Sequence, residues 1–257
     1  MTTWEQPDLG QPITPGPAAS DRFVLPLETV VATVGSPAAG AWDVDDLTAG
    51  AGAAAEAGAI AVSLGPFSPS WRGGRTWRSP VLGSARHARH HRQATGAVHH
   101  HGAVALLWMA HAGAMSRTPW RVAASGGLPW AAPGEADVRH IVRDHGRCAA
   151  VAVEGGYDGV EIDATHRALP GQFLESGNDR GDGWGGAALN RRRLLVEIVQ
   201  AVRGAVPDRI AVAVRLDSDV TTRTGMGSAE VHAAVLGSGA DLVTEIGGGV
   251  VRVLARR

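Results

Sequence analysis

Six histidines crowd one stretch of this chain: His87, His90, His91, His99, His100 and His101. Imidazole is a common metal ligand, and His87 and His91 stand four apart, which puts both on one face of a helix. No Asp, Glu or Cys lies among them, and Arg86, Arg89 and Arg92 make the same helix basic. The ligand set is incomplete, so a solvated basic face is expected and no metal site. The 24 Lys-plus-Arg residues are all arginine. A chain without lysine forms no side-chain Schiff base and has no P-loop lysine, which excludes lysine aldolases, pyridoxal-phosphate enzymes and P-loop NTPases. Cys148 is the single cysteine, so an intramolecular disulfide and a CxxC pair are excluded. It reads as a small core residue in a reducing compartment, and a cytoplasmic location is expected.

The elements that must position any chemistry alternate along the chain. Apolar strands are predicted at Arg22–Leu27, Ala59–Leu64, Ala103–Met109, Gly159–Ile162, Ile210–Leu216 and Asp241–Ile246. Helices are predicted at Asp43–Gly58, Ser84–His101, Ala136–Glu154, Asn190–Val206 and Ala229–Leu236. Short all-apolar strands between helices imply a parallel sheet covered by helices, or a barrel. The 257 residues suit a (β/α) barrel in length, since a bare eight-unit barrel takes about 250. Six strands are legible, so the α/β fold class expected is a TIM-type (β/α) barrel that is incomplete, with about six of its eight units. Residues 1–20, with four prolines, read as a loose arm. Residues 21–257 then form one domain. A net charge of −1 gives no footprint for nucleic acid. No apolar run is long enough to span a membrane, and no secretory leader is expected.

One stretch is more specific than any isolated motif. Asp158-Gly159-Val160-Glu161-Ile162, Gln172-Phe173-Leu174, Asn178-x-Arg180-x-Asp182-x-Trp184-Gly185-Gly186 and Asn190-Arg191 follow one another without a gap. Together they resemble the Old Yellow Enzyme family of FMN-dependent NADH:flavin oxidoreductases. Weaker similarity lies at Asp21–Val24, His99–Gly102, His111–Gly113 and Val212–Arg215. The resemblance spans roughly Arg22 to Gly249. It implies a (β/α)8 barrel with FMN at the C-terminal ends of the strands, NAD(P)H as reductant, and hydride transfer to an activated alkene or similar small molecule.

The resemblance also implies roles for single residues. Thr29 takes the place beside the reacting flavin nitrogen, although an ordinary strand-end residue is an equal reading. Trp108 stands where the family has a glutamine on the flavin pyrimidine edge. An indole has one donor and no acceptor, so a core tryptophan is an equal reading there too. Asp163 and His166 take the places of the pair that holds a substrate oxygen. An ionised Asp163 repels an enolate, but an Asp–His pair could act as an oriented base. Ala168 replaces the family's proton-donating tyrosine. Arg215, at the end of the fifth strand, matches the arginine beside the flavin N1 and O2. Gly247-Gly248-Gly249 follow the sixth strand, and the remaining Val250–Arg257 cannot supply two further units, so either these glycines hold phosphate in a rearranged barrel or, as expected, the family's phosphate cradle is missing. These departures keep a second function open: a non-catalytic homologue acting as a subunit or binding partner. The apolar first and sixth strands would then be open sheet edges, which predicts a homo-oligomer or a companion subunit. The alternative is that the tail Val250–Leu254 covers one edge.

Overall fold

The structure is a computed structural model that describes residues 31–35, 44–119, 121–124, 132–247 and 250–255. Strands β1 (Val31–Gly35), β2 (Ala61–Phe67), β3 (Val104–Met109), β4 (Gly159–Asp163), β5 (Ala211–Asp217) and β6 (Leu242–Gly247) lie side by side in chain order, and all are parallel. Strand β7 (Val250–Ala255) then turns back antiparallel on β6, with Val243 opposite Leu254. The sheet is the curled wall of an incomplete (β/α) barrel. Strands β2 to β6 fall where five of the six strands were expected. The predicted strand at Arg22–Leu27 lies outside the described residues, and the first described strand is Val31–Gly35. The sixth strand is not an open edge, because the tail covers it as β7 and Gly247 pairs with Val250 across the reversal.

The helices are α1 (Val44–Glu56), α2 (Ala85–His100), α3 (Glu135–Glu154), α4 (Leu169–Leu174), α5 (Ala188–Arg191), α6 (Arg193–Ala205), α7 (Val220–Thr224) and α8 (Ser228–Gly237). Each long helix buries one stripe. In α1 it is Leu47, Ala51 and Ala55, spaced by four. In α3 it is Val138, Ile141, His145, Cys148 and Ala152, and in α6 it is Leu194, Leu195, Ile198, Val199 and Val202. Such stripes follow from 3.6 residues per turn and face the sheet or a neighbouring helix. Gly146 lets α3 approach α6 closely: a Cβ there would come within 3.1 Å of the Ala201 carbonyl oxygen. α2 ends at Gly102 and α3 at Gly156, with φ of 73° and 81°, which only glycine adopts cheaply before the chain re-enters the sheet. No described helix is long and apolar enough to cross a membrane.

The side-chain period of two divides the strands into two faces. Val62, Leu64, Ala105, Leu107, Val160, Ile162, Val212, Val214 and Val243 join the helices in one large core. Ala61, Leu106, Ala213 and Leu242 form a separate small cluster on the opposite, inner face. Above that apolar floor the inner positions turn polar, with Ser63, Trp108, Glu161, Asp163, Arg215 and Thr244.

The outer layer also holds neutral histidines. His91 on α2 hydrogen-bonds Tyr157 at 2.7 Å through Nδ1, and burial, with His87 and His90 nearby, pushes its pKa down to about 4. Burial likewise lowers His145 to about 4, and lowers His111 to about 3 with help from His145. An unfolded histidine takes its proton near pH 6.5. Between that pH and the folded values the unfolded chain binds more protons, so stability falls as the solution is acidified. Each of the three is expected to withdraw roughly 2 kcal/mol by about pH 5. Urea unfolding should show the midpoint dropping steeply from neutral pH to about pH 5, with a shallower drop in His91→Gln. A midpoint that does not move would contradict neutral burial.

Candidate functional site

Strands β4 and β5 deliver two charges to the inner face. Glu161 is fully buried, and Arg215 is 4% exposed. Arg215 Nη2 donates to Glu161 Oε2 at 2.6 Å, and Ser63 Oγ donates to the same oxygen at 2.7 Å. Thr244 Oγ1 donates to Oε1 at 2.7 Å. Four strands, β2, β4, β5 and β6, therefore meet on one carboxylate. Burial alone would push the Glu161 carboxyl up, but the Arg215 charge and the three donors outweigh it and hold the group below the usual carboxylate range. Arg215 Nε is buried and has no partner among the described residues.

Trp108 on β3 lies flat against this pair, with the Arg215 guanidinium carbon 4.1 Å from its ring centroid. Its indole N–H donates to Asp163 Oδ2 at 3.0 Å. The other Asp163 oxygen accepts from the Thr165 backbone N–H at 2.9 Å and the Thr165 hydroxyl at 2.7 Å. Burial raises the Asp163 pKa, only partly offset by Thr165, Arg215 and Trp108. Asp163 thus serves the indole and its own turn, and no hydrogen bond joins it to His166. The carboxylate on His166 is Asp217, at the end of β5. Of the residues singled out in the sequence, Trp108, Asp163 and Arg215 come together, while His166 stands at the rim with a different partner. Thr29 lies outside the described residues.

The sequence reading did not single out Glu161, Ser63, Thr244 or Asp217 for a role. A signal existed for three of them. Each is a polar residue at an inner-face position of a largely apolar strand, as Ser63 is in AVSL, Glu161 in GVEI and Thr244 in LVTEI. Asp217 carries no such mark, since its partner is 51 residues away.

The long motif itself braces the platform. Asn178 Nδ2 donates to the carbonyls of Phe173 at 2.9 Å and Trp184 at 2.8 Å. Arg180 pairs with Asp182, and its Nη2 donates to the Pro133 carbonyl at 2.7 Å. Arg193 stacks 4.1 Å from the centroid of the buried Trp184 ring. Gln172 accepts the Ala114 N–H at 3.0 Å, and Leu169 donates its backbone N–H to the His111 carbonyl at 2.7 Å, so the loop after β3 is tied to α4. Ala168 is 1% exposed and presents only a methyl group.

Removing the charge of Glu161 leaves a buried guanidinium unpaired, a change that costs about 3–5 kcal/mol in comparable buried pairs. Glu161→Gln is expected to lose that much in chemical denaturation, and the double variant with Arg215→Met to regain part of it. A loss in the double variant equal to the sum of the two single-variant losses would mean the pair is not coupled.

Comparison with known proteins gives this geometry its context. The profile of the NADH:flavin oxidoreductase / NADH oxidase family matches residues 53–247. An NADH-dependent flavin oxidoreductase of Talaromyces variabilis is 36% identical over 117 residues, covering 44% of this chain and 28% of that protein. An NADPH dehydrogenase of Listeria innocua is 38% identical over 114 residues, covering 41% and 34%. Among solved structures, 6-hydroxypseudooxynicotine amine oxidase from Pseudomonas geniculata N1 superposes with a TM-score of 0.65 at 26% identity, over 79% of this chain and 33% of that one. Histamine dehydrogenase from Rhizobium sp. 4-9 shares the fold, with a TM-score of 0.66 at 19% identity, over 76% and 33%. The matches span about a third or less of the length of these relatives. With the family profile covering well over half of its residues, the chain belongs to the NADH:flavin oxidoreductase / NADH oxidase family, the Old Yellow Enzyme family.

Proposed function

We propose that the protein is an FMN-dependent NAD(P)H oxidoreductase of the Old Yellow Enzyme type, acting on an activated alkene or similar small molecule. The observation that carries this reading is Arg215: a permanent charge, clamped by Glu161 at the C-terminal end of a barrel strand, with a buried Nε–H that has no partner among the described residues. An unpaired buried donor is costly, and it fits a ligand edge that brings an acceptor or negative charge. FMN, when bound, supplies the centre that exchanges hydride between nicotinamide and acceptor.

This chain's own residues then divide the remaining work. Arg215 would hold the flavin edge and would stabilise negative charge there. Trp108 offers an apolar face but no acceptor, because an indole has none and its N–H is already given to Asp163. The pyrimidine edge would therefore be held from one side only. His166, 40% exposed at the rim, is the group available to exchange a proton with substrate, whereas Asp163 keeps Trp108 in place. Thr29, by its similarity in sequence, would stand beside the reacting flavin nitrogen.

The second reading is a non-catalytic homologue working as a homo-oligomer or with a companion subunit. Trp108 filling the inner face and the bare methyl of Ala168 favour it. A cytoplasmic setting fits either reading, since the lone Cys148 is buried and burial pushes its thiol pKa well up, out of the reactive range.

Titration of the full chain with FMN, followed by visible absorbance, separates the two. One site per chain is expected, with micromolar rather than nanomolar affinity. Trp108→Gln should tighten binding by roughly tenfold, the worth of one added hydrogen bond. Arg215→Met should weaken it by at least as much. No binding at millimolar FMN would favour the non-catalytic reading.

A further inference from the structure

His166 and Asp217 come from neighbouring strands, at the C-terminal ends of β4 and β5. The Asp217 carboxylate accepts the backbone N–H of His166 at 2.7 Å. The same carboxylate stands 3.1 Å from ring Nδ1 through each of its oxygens. The backbone bond fixes where the carboxylate sits relative to this residue, and the ring turns one particular nitrogen to it. An ionised carboxylate only accepts, so Nδ1 must carry the hydrogen. The other nitrogen, Nε2, has no partner among the described residues. The His166 side chain is 40% exposed and that of Asp217 is 17% exposed, so the ring faces outward over a shielded anchor.

We infer that Asp217 is a positioning residue that locks His166 with hydrogen on Nδ1 and presents Nε2 as the atom through which the site gives and takes protons. This deepens the hydride-transfer reading above and rests on it for the identity of the proton acceptor. Neighbouring side chains leave the role open to His166. Ala168 carries no proton, and both Asp163 oxygens are occupied by Trp108 and Thr165. In the step itself, the Nε2–H bond of the imidazolium breaks with its electron pair staying on nitrogen, and the electron pair of the enolate left by hydride delivery forms the new C–H bond. Neutral imidazole remains, with Nδ1–H still on Asp217, and water returns a proton to Nε2. Asp217 stays ionised throughout, as an orienting carboxylate does beside a working histidine.

The test uses the full chain without flavin, labelled with nitrogen-15 in its histidine rings, and long-range proton–nitrogen correlation spectra at a pH where His166 is neutral. The expected wild-type pattern is an Nδ1–H tautomer dominating by roughly tenfold or more, the bias that a hydrogen bond to a charged group supports. Asp217→Ala should abolish that bias. An Nε2–H tautomer in the wild-type chain would overturn the inference, and this result does not depend on any variant folding. So would a spectrum of Asp217→Ala that keeps the wild-type pattern. Because no flavin is present, failure here is distinct from failure of FMN binding, and either can occur without the other.

Discussion

Glu161 can stay charged inside the sheet only because Arg215, Ser63 and Thr244 all turn toward it. Each of those partners sits on a different strand, so the carboxylate fixes β2, β5 and β6 relative to β4. A buried ion pair of this kind adds little net stability over an apolar core, because desolvation offsets most of the attraction. Its consequence here is positional. The pair sets the parity of four strands at once, since a one-residue slip in any of them would swing its polar side chain into the helix-lined core. It also holds a guanidinium at the strand ends in a single orientation, with Trp108 stacked across it.

The two acidic residues at the rim then have different duties. Asp163 faces inward and holds the indole, whereas Asp217 faces the loop after β4 and holds both the backbone and the ring of His166. They lie on neighbouring strands, and Asp163 is the register partner of Arg215, two residues before Asp217. The inner wall therefore separates a rigid charged platform from a rim histidine that reaches solvent. The Asn178–Gly186 loop and Gln172 stiffen the connections that carry these ends, and their own polar groups are turned toward backbone rather than into the site.

The sequence carried most of the architecture. Apolar strands such as AVALLWM and IAVAVRL, and the stripe of α6, define their elements by periodicity alone, and each lies within a few residues of its predicted bounds. The strand Val31–Gly35 was not legible, because Pro26 closes the apolar run before it and the five residues VATVG are too few to show a period. The covering of β6 was legible as one of two outcomes, since a mostly apolar tail beside an apolar strand can either leave its edge open or seal it. In the site, family similarity singled out Trp108, Asp163, His166 and Arg215. Similarity assigns residues to places in a chain, not to partners, and the pairing of His166 with Asp217 follows from strand register, which only the folded sheet supplies.

Clamped by Glu161, Arg215 keeps a buried Nε–H that has no partner among the described residues and that an incoming ligand edge would satisfy. The most direct measurement is the Nε–H resonance of Arg215 in the chain labelled with nitrogen-15 arginine, recorded before and during addition of FMN. The account predicts a resolved signal that exchanges slowly with water and shifts as flavin is added. A signal lost to rapid exchange, or one that stays in place while flavin saturates the chain, would contradict it.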